Sequence, residues 1–159
     1  MEVKDIVKPA VTVSEDATFE EALRAMLNGQ TNTLLVTDED GVLSGEVSVV
    51  DLLDAIVPGY LDGDSIMSQL GTEKLFQAAV KEAKDRPVID FMSADFTSVS
   101  LDDSLITIAA TAIAHRRARI PVVDRENHPI GIISRQGLKI IIARFLGLKT
   151  PSGAVLEDL

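Results

Sequence analysis

The chain contains no cysteine, which removes disulfides, thiol nucleophiles and thiolate metal sites together and fits a cytoplasmic setting. Aromatics are scarce: no tryptophan, one tyrosine and five phenylalanines, 4% of 159 residues. A platform on which single-stranded bases could stack is therefore not expected. Positive charge is short as well, 15 Lys and Arg against 25 Asp and Glu for a formal net charge of −10. Such a field repels DNA, RNA and anionic membrane, so any anion site must be local. No apolar run approaches the eighteen or so residues of a membrane span, and Met1-Glu2-Val3-Lys4-Asp5 lacks the basic-then-apolar order of a signal peptide.

Catalytic and metal-binding constellations are thin too. The two histidines are His115, beside a run of arginines, and His128, in a turn before Pro129. Neither has an obvious carboxylate partner at local spacing, so no enzyme is expected. Asp38-Glu39-Asp40-Gly41 lacks the twelve-residue ligand spacing and final Glu of a calcium loop and reads as a polar hairpin turn. No glycine-rich phosphate loop is present either, so a phosphate would have to rely on arginines and backbone amides.

What the chain does have is a core-forming composition, 46% hydrophobic and drawn from Val, Ile, Leu and Ala, and an internal repeat. Aligning Gly45 with Gly131 brings Val36 onto Val122, Asp38 onto Asp124, Ser48 onto Ser134 and Leu52 onto Leu138 without a gap. Upstream, Val13, Ser14 and Asp16 fall on Val99, Ser100 and Asp102. A self-match at one offset points to two copies of one supersecondary unit.

In copy one, Val11-Thr12-Val13 alternates like a short strand. Thr18 and Glu21 have capping-box spacing before a helix carrying Phe19, Ala22, Leu23, Met26 and Leu27, which Gly29 is placed to end in a left-handed conformation. Thr33 to Thr37 and Val42 to Ser48 read as an antiparallel hairpin, and Val49 to Ile56 as a helix stopping at Pro58-Gly59. In copy two, Ser104 caps a helix with Leu105, Ile108, Ala109, Ala112 and Ile113, and Gly137 to Leu148 forms a closing helix, apolar nearly all round. The resulting division is copy one at 3–57, a connector at 58–87, copy two at 88–148 and a loosely held tail at 149–159. The connector carries Leu75, Phe76, Ala79, Val80 and Ala83 as an apolar stripe on a helix of about three turns, suited to packing on the module or on a partner chain. The fold class is α/β, more narrowly α+β: two tandem β-α-β-β-α repeats plus a helical connector.

The short strand, amphipathic helix, Ile120-Pro121-Val122-Val123-Asp124 strand, and Gly131-Ile132-Ile133-Ser134 leading into a helix resemble the cystathionine β-synthase domain. Two copies in register are similar to the paired arrangement called a Bateman module. The resemblance implies pseudo-twofold symmetry and homodimerisation through outward helices. It also implies an adenine nucleotide or adenosyl ligand in clefts between the copies, with occupancy reported to an unidentified effector protein. No cofactor is required on that reading; AMP, ADP, ATP or S-adenosylmethionine would be regulatory ligands. In the family's Ser/Thr-x-x-Asp element the carboxylate takes the ribose hydroxyls, and copy one has it as Ser48-Val49-Val50-Asp51. Copy two has Ser134-Arg135-Gln136-Gly137, without the acid, but carries Arg119 before its Pro-Val-Val strand, where copy one has Thr33. The resemblance thus implies Ser48, Asp51, Thr97, Arg117, Arg119 and Ser134 as ligand residues, divided between the copies. Taken without the family, a carboxylate at a helix start is a favourable cap, and the cluster His115-Arg116-Arg117-Ala118-Arg119 suits a helix C-terminus. The competing expectation is a dimerising scaffold with degenerate clefts, favoured by Gly137 and by Leu35 standing where the family has Pro.

Overall fold

The computed structural model describes residues 3–57, 72–115 and 119–149. They form an α+β protein of two compact units, each built on a three-stranded sheet.

The first unit runs contiguously from Val11 to Phe96. It contains β1 (Thr12–Ser14), α1 (Phe19–Gly29), β2 (Thr33–Thr37), β3 (Leu43–Ser48), α2 (Val49–Ile56) and α3 (Thr72–Ala83). Strand β1 pairs in parallel with β2, which pairs antiparallel with β3. Apolar residues on alternate positions of the strands and on one face of each helix make the core. Phe19, Ala22 and Met26 of α1 meet Leu34, Val36 and Val47 of the sheet, with Leu52 and Ile56 of α2 beside them. Ala83 of α3 and Val88 complete the cluster, and the Phe91 ring meets Phe19 edge-on with centroids 5.8 Å apart. The connector helix therefore packs on its own unit. Only part of its expected stripe is used: Ala79 and Val80 pack on the core, while Leu75 and Phe76 remain exposed.

The second unit is discontinuous, joining the chain up to Ala10 to the chain from Thr97 onward. Its elements are β4 (Val99–Ser100), α4 (Leu105–His115), β5 (Arg119–Val123), β6 (Pro129–Ser134) and α5 (Arg135–Phe145). The strand order and senses repeat those of the first unit. Its core joins Val3 and Ile6 to Val99, Ile108, Ile120, Val122, Ile133 and Ile141. Both hairpins carry a register shift at the same aligned place, between Val36 and Thr37 and between Val122 and Val123.

The opening segments of the two copies are exchanged between the units. Lys8 pairs with Ile132 through reciprocal backbone bonds of 2.9 Å, and Ser93 pairs with Glu46 at 2.8 and 2.9 Å. Each added segment lies against a glycine. A Cβ on Gly131 would fall 2.4 Å from Val7 Cγ1 and 2.6 Å from the Lys8 carbonyl oxygen; one on Gly45 would fall 2.8 Å from Met92 Sδ and 2.9 Å from the Ser93 oxygen.

Three local expectations are corrected. Gly29 does not take the left-handed position: Gln30 does, at φ 50° and ψ 47°. The Thr31 N–H returns to the Met26 carbonyl and Gln30 N–H to Leu27, the bonds of a Schellman ending. Gly29 is instead needed for space, because a Cβ there would lie 2.6 Å from Val11 Cγ2. At Thr18 only half the capping box forms. Its hydroxyl oxygen accepts the Glu21 N–H at 3.1 Å, while Glu21 lies against that hydroxyl. The closing helix begins earlier, at Arg135, because Ser134 is its cap. The expected helix stop at Pro58-Gly59, the first half of the connector up to Gly71, and all of the tail beyond Lys149 lie outside the described residues.

Candidate functional site

Each hairpin delivers its return strand into a helix, so the last strand residue becomes a helix cap. In the first unit that residue is Ser48. Its hydroxyl oxygen accepts the Asp51 N–H at 3.3 Å, and Asp51 Oδ2 accepts the Ser48 N–H at 2.8 Å and its hydroxyl at 3.2 Å. This is a complete capping box, the one formed among the described residues. The half-buried carboxylate is fixed through one oxygen, and Oδ1 has no hydrogen-bond partner among the described residues. A carboxylate held this way can accept a hydrogen bond from a ligand hydroxyl without losing its seat. Opposite Ser48 in the β2–β3 register stands Thr33.

In the second unit Ser134 caps α5, its hydroxyl oxygen accepting the Gly137 N–H at 3.2 Å. The register sets Arg119 opposite Ser134, as it sets Thr33 opposite Ser48. Gly137 leaves this cap without a carboxylate. Packing does not demand the glycine, since a Cβ would stand 3.5 Å from the Ile6 carbonyl oxygen and 3.6 Å from Ile6 Cβ, ordinary contacts. Thr97 lies two residues before β4, at the end of the sheet where β5 begins with Arg119. Its hydroxyl is 2.9 Å from His115 Nε2 and 3.3 Å from Nδ1, at the last residue of α4. Ser48 and Asp51 thus belong to one unit, and Thr97, Arg119 and Ser134 to the other. Arg117 lies outside the described residues.

Two groups escaped the sequence reading. Glu46, on β3, is the one charged residue buried among the described residues; its signal was a mismatch, since copy two has Ile132 at the aligned position. His128 does have local carboxylates, with Nδ1 3.5 Å from Asp124 Oδ2 and 3.6 Å from Glu126 Oε2. The hairpin turn folds them together. Asp124 Oδ1 accepts the N–H groups of Glu126 and His128, both at 2.9 Å, and the His128 bond chiefly holds its carboxyl below the usual range. The two carboxylates are exposed, His128 is half-buried, and the bonds among them are those of a turn, which gives the trio no catalytic geometry. The same turn in copy one forms on Asp38, with Gly41 at φ 79° where copy two has Asn127 at φ 64°. No group of three or more His, Asp or Glu among the described residues is arranged to hold a metal. No helix among them is long and apolar enough to cross a membrane.

Comparison with known proteins bears on both units. The model of the CBS domain matches residues 3–58 and 88–144. A curated relative, homoserine O-acetyltransferase of Methanosphaerula palustris, is 29% identical over 143 residues, 89% of this chain. The chain spans about a quarter of that relative, 24% of its length. Among solved structures, the CBS domain of a CBS domain containing membrane protein from Sphaerobacter thermophilus superposes with a TM-score of 0.68 at 26% identity, covering 86% of this chain and 83% of its own. CBSX2 in complex with AMP gives 0.66 at 22%, covering 91% and 98%. The CBS domain pair of protein MJ0100, with 5′-methylthioadenosine and S-adenosyl-L-methionine, gives 0.63 at 19%, covering 89% and 99%.

Proposed function

The chain belongs to the CBS domain family, with two CBS domains in tandem, and on that premise we propose that it is a regulatory module that binds an adenine nucleotide or adenosyl compound. The observation carrying this reading is the Ser48–Asp51 element, whose carboxylate is held by its own helix start through one oxygen and leaves the other without a hydrogen-bond partner among the described residues. The ligands seen with similar structures, AMP, 5′-methylthioadenosine and S-adenosylmethionine, share an adenosine and differ in charge beyond it. Ribose recognition is their common requirement, and Asp51 supplies it here. Arg119, and Arg117 two residues before it, serve a phosphate when the ligand has one, the guanidinium matching phosphate oxygens with paired N–H donors. Thr97 and Ser134 add hydroxyl contacts.

On this reading the chain performs no reaction of its own. A ligand with unequal affinity for two arrangements of the module shifts their populations, and an effector protein reads the change. The exposed apolar residues Val50 and Leu53 on α2, and Ile142 and Phe145 on α5, suit self-association into a homodimer. They also favour a second reading, a dimerising scaffold whose ligand clefts are degenerate, as Gly137 is in copy two.

The deciding experiment is thermal unfolding with AMP, ADP, ATP and S-adenosylmethionine at about 1 mM. A ligand at 100 times its dissociation constant stabilises the native state by about 2.7 kcal/mol, several degrees for a chain this size. The sensor reading expects a shift with at least one compound and its loss in Asp51→Ala. No shift with any of them sinks it in favour of the scaffold.

A further inference from the structure

Helix α4 turns Ile108 into the core of its unit, where that side chain is wholly buried. Its opposite face carries Ile106, Ala109, Ala110 and Ile113, all exposed, with the two isoleucines at 81% and 76%. Their spacing along the helix puts these four in one stripe. The helix is also the one α-helix among the described residues with no Asp, Glu, Lys or Arg. An outward stripe that is apolar and uncharged marks an interface. The repeat offset puts Glu20, Leu23, Arg24 and Leu27 of α1 at the same places, exposed likewise, with Glu20 and Arg24 paired at 3.5 Å. Copy one therefore shows that the fold accepts a charged, solvated stripe here, and the apolar one of copy two serves something outside its own unit.

Resting on the self-association proposed above, we infer that α4 packs antiparallel against α4 of a second copy, with the twofold axis passing between Ala109 and Ala110. A twofold contact requires that where residue i meets j, j also meets i. The stripe satisfies this, because Ile-Ala-Ala-Ile reads the same from either end. Ile106 meets the partner's Ile113 at both ends, and the alanines meet at the centre, where small side chains let two helices come close. The stripe of α1 fails the same requirement. That axis would set Glu20 against Leu27 and Leu23 against Arg24, stripping water from two charges for apolar neighbours. Net charge points the same way: at −10 each, two copies repel, and they approach at least cost where a face carries no charge. The sequence flanking the helix adds attraction, since Asp102 and Asp103 come before it and Arg116 and Arg117 after it. An antiparallel pair brings acidic end to basic end twice, whereas a parallel pair sets like ends together.

Because the chain has no cysteine, introduced cysteines test this directly. Ala110→Cys under mild oxidation should join two copies, the axis holding the two thiols within reach of a disulfide. An equal mixture of Ile106→Cys and Ile113→Cys should give mainly the mixed dimer, with little of either variant joined to itself. Sedimentation is expected to show wild type as a dimer and Ile113→Asp weakening it at least about a hundredfold, through a buried charge with no partner. Leu27→Asp, its equivalent in α1, should weaken it less than about threefold, as an exposed substitution does. The cysteine variants leave the packing of the unit itself intact, so they carry the test if Ile113→Asp fails to fold. Three results overturn the inference while leaving self-association through other faces standing: a dimer that Ala110→Cys does not cross-link, Ile106→Cys joining itself rather than Ile113→Cys, or Leu27→Asp as damaging as Ile113→Asp. A wild-type monomer overturns the self-association reading and this inference with it, so the two failures are distinct.

Discussion

Replacing Gly131 with alanine adds one methyl group where two chain segments meet, and the structure fixes what it strikes. The new Cβ would sit 2.4 Å from Val7 Cγ1 and 2.6 Å from the Lys8 carbonyl oxygen, against the roughly 3.5–4.0 Å that carbon contacts prefer. Val7 is β-branched and stiff, and the Lys8 oxygen is backbone, so the segment itself must retreat. A retreat of about 1 Å stretches both 2.9 Å bonds between Lys8 and Ile132 beyond hydrogen-bonding range. Two lost bonds cost about 1 kcal/mol each, and overpacking about 1–3 kcal/mol. Against these, alanine recovers about 0.5–1 kcal/mol of glycine's backbone entropy. The net is about 2–4 kcal/mol, or a fall in Tm of about 4–16 °C for a chain of this length. Calorimetry or circular dichroism reads the midpoint, and amide exchange should show lost protection at Lys8 and Ile132. Gly45→Ala is the internal comparison. Its nearest contact, Met92 Sδ at 2.8 Å, belongs to a flexible side chain, and its backbone contact, the Ser93 oxygen at 2.9 Å, is less close than the Lys8 oxygen at 2.6 Å, so its loss should be smaller, about 1–2 kcal/mol. A Gly131→Ala protein melting within 2 °C of wild type, or less affected than Gly45→Ala, would refute the reasoning.

Two further predictions concern single turns. Gln30→Gly should raise stability by about 0.5–1 kcal/mol by relieving a left-handed residue, whereas Gly29→Ala beside it should lower stability by about 1–2 kcal/mol through its contact with Val11; paired denaturant titrations check both signs. Asp124 has a depressed carboxyl pKa in the fold, so its contribution is present above the ordinary Asp value of about 3.9 and is lost as pH falls through the lower folded value. Melting wild type and Asp124→Asn between pH 2.5 and 6 should therefore show a shallower acid decline in the variant, and equal slopes would remove Asp124 as a source.

The repeat made most of the fold legible, because one offset fixed both hairpins at once. The pairing of Val36 with Gly45 is matched by that of Val122 with Gly131, and the caps Ser48 and Ser134 fall where alignment puts them. An offset says which residues are equivalent, though, and nothing about which copy they pack against. That is why Val3 and Ile6, first in sequence, join the core of the second unit unannounced. The left-handed turn falls on Gln30 and not on the expected Gly29 for a similar reason: glycine's propensity for such turns is local, while the demand for an empty Cβ position at Gly29 comes from Val11, distant in sequence. At the candidate site, residue types and spacing named the groups, but the geometry of Asp51 and the Thr97–His115 contact depended on side-chain directions that pattern does not encode. Glu46 stands where the copies disagree, and the carboxylates of His128 reach it only through the folding of the turn, which pattern does not encode.

The exchange of opening segments also orders events during synthesis. Everything the first unit needs lies between Val11 and Phe96, so it can close while the ribosome is still making copy two. The second unit cannot. Val3, Ile6 and Val7 must wait for β6 and α5, and at about 5–20 residues per second that wait lasts about 7–25 seconds. For the last part of that interval, once Phe96 is made, a short apolar sequence hangs from a finished unit with no place to bind. The nascent chain is then exposed to chaperones and proteases at Val3, Ile6 and Val7 until β6 and α5 cover them.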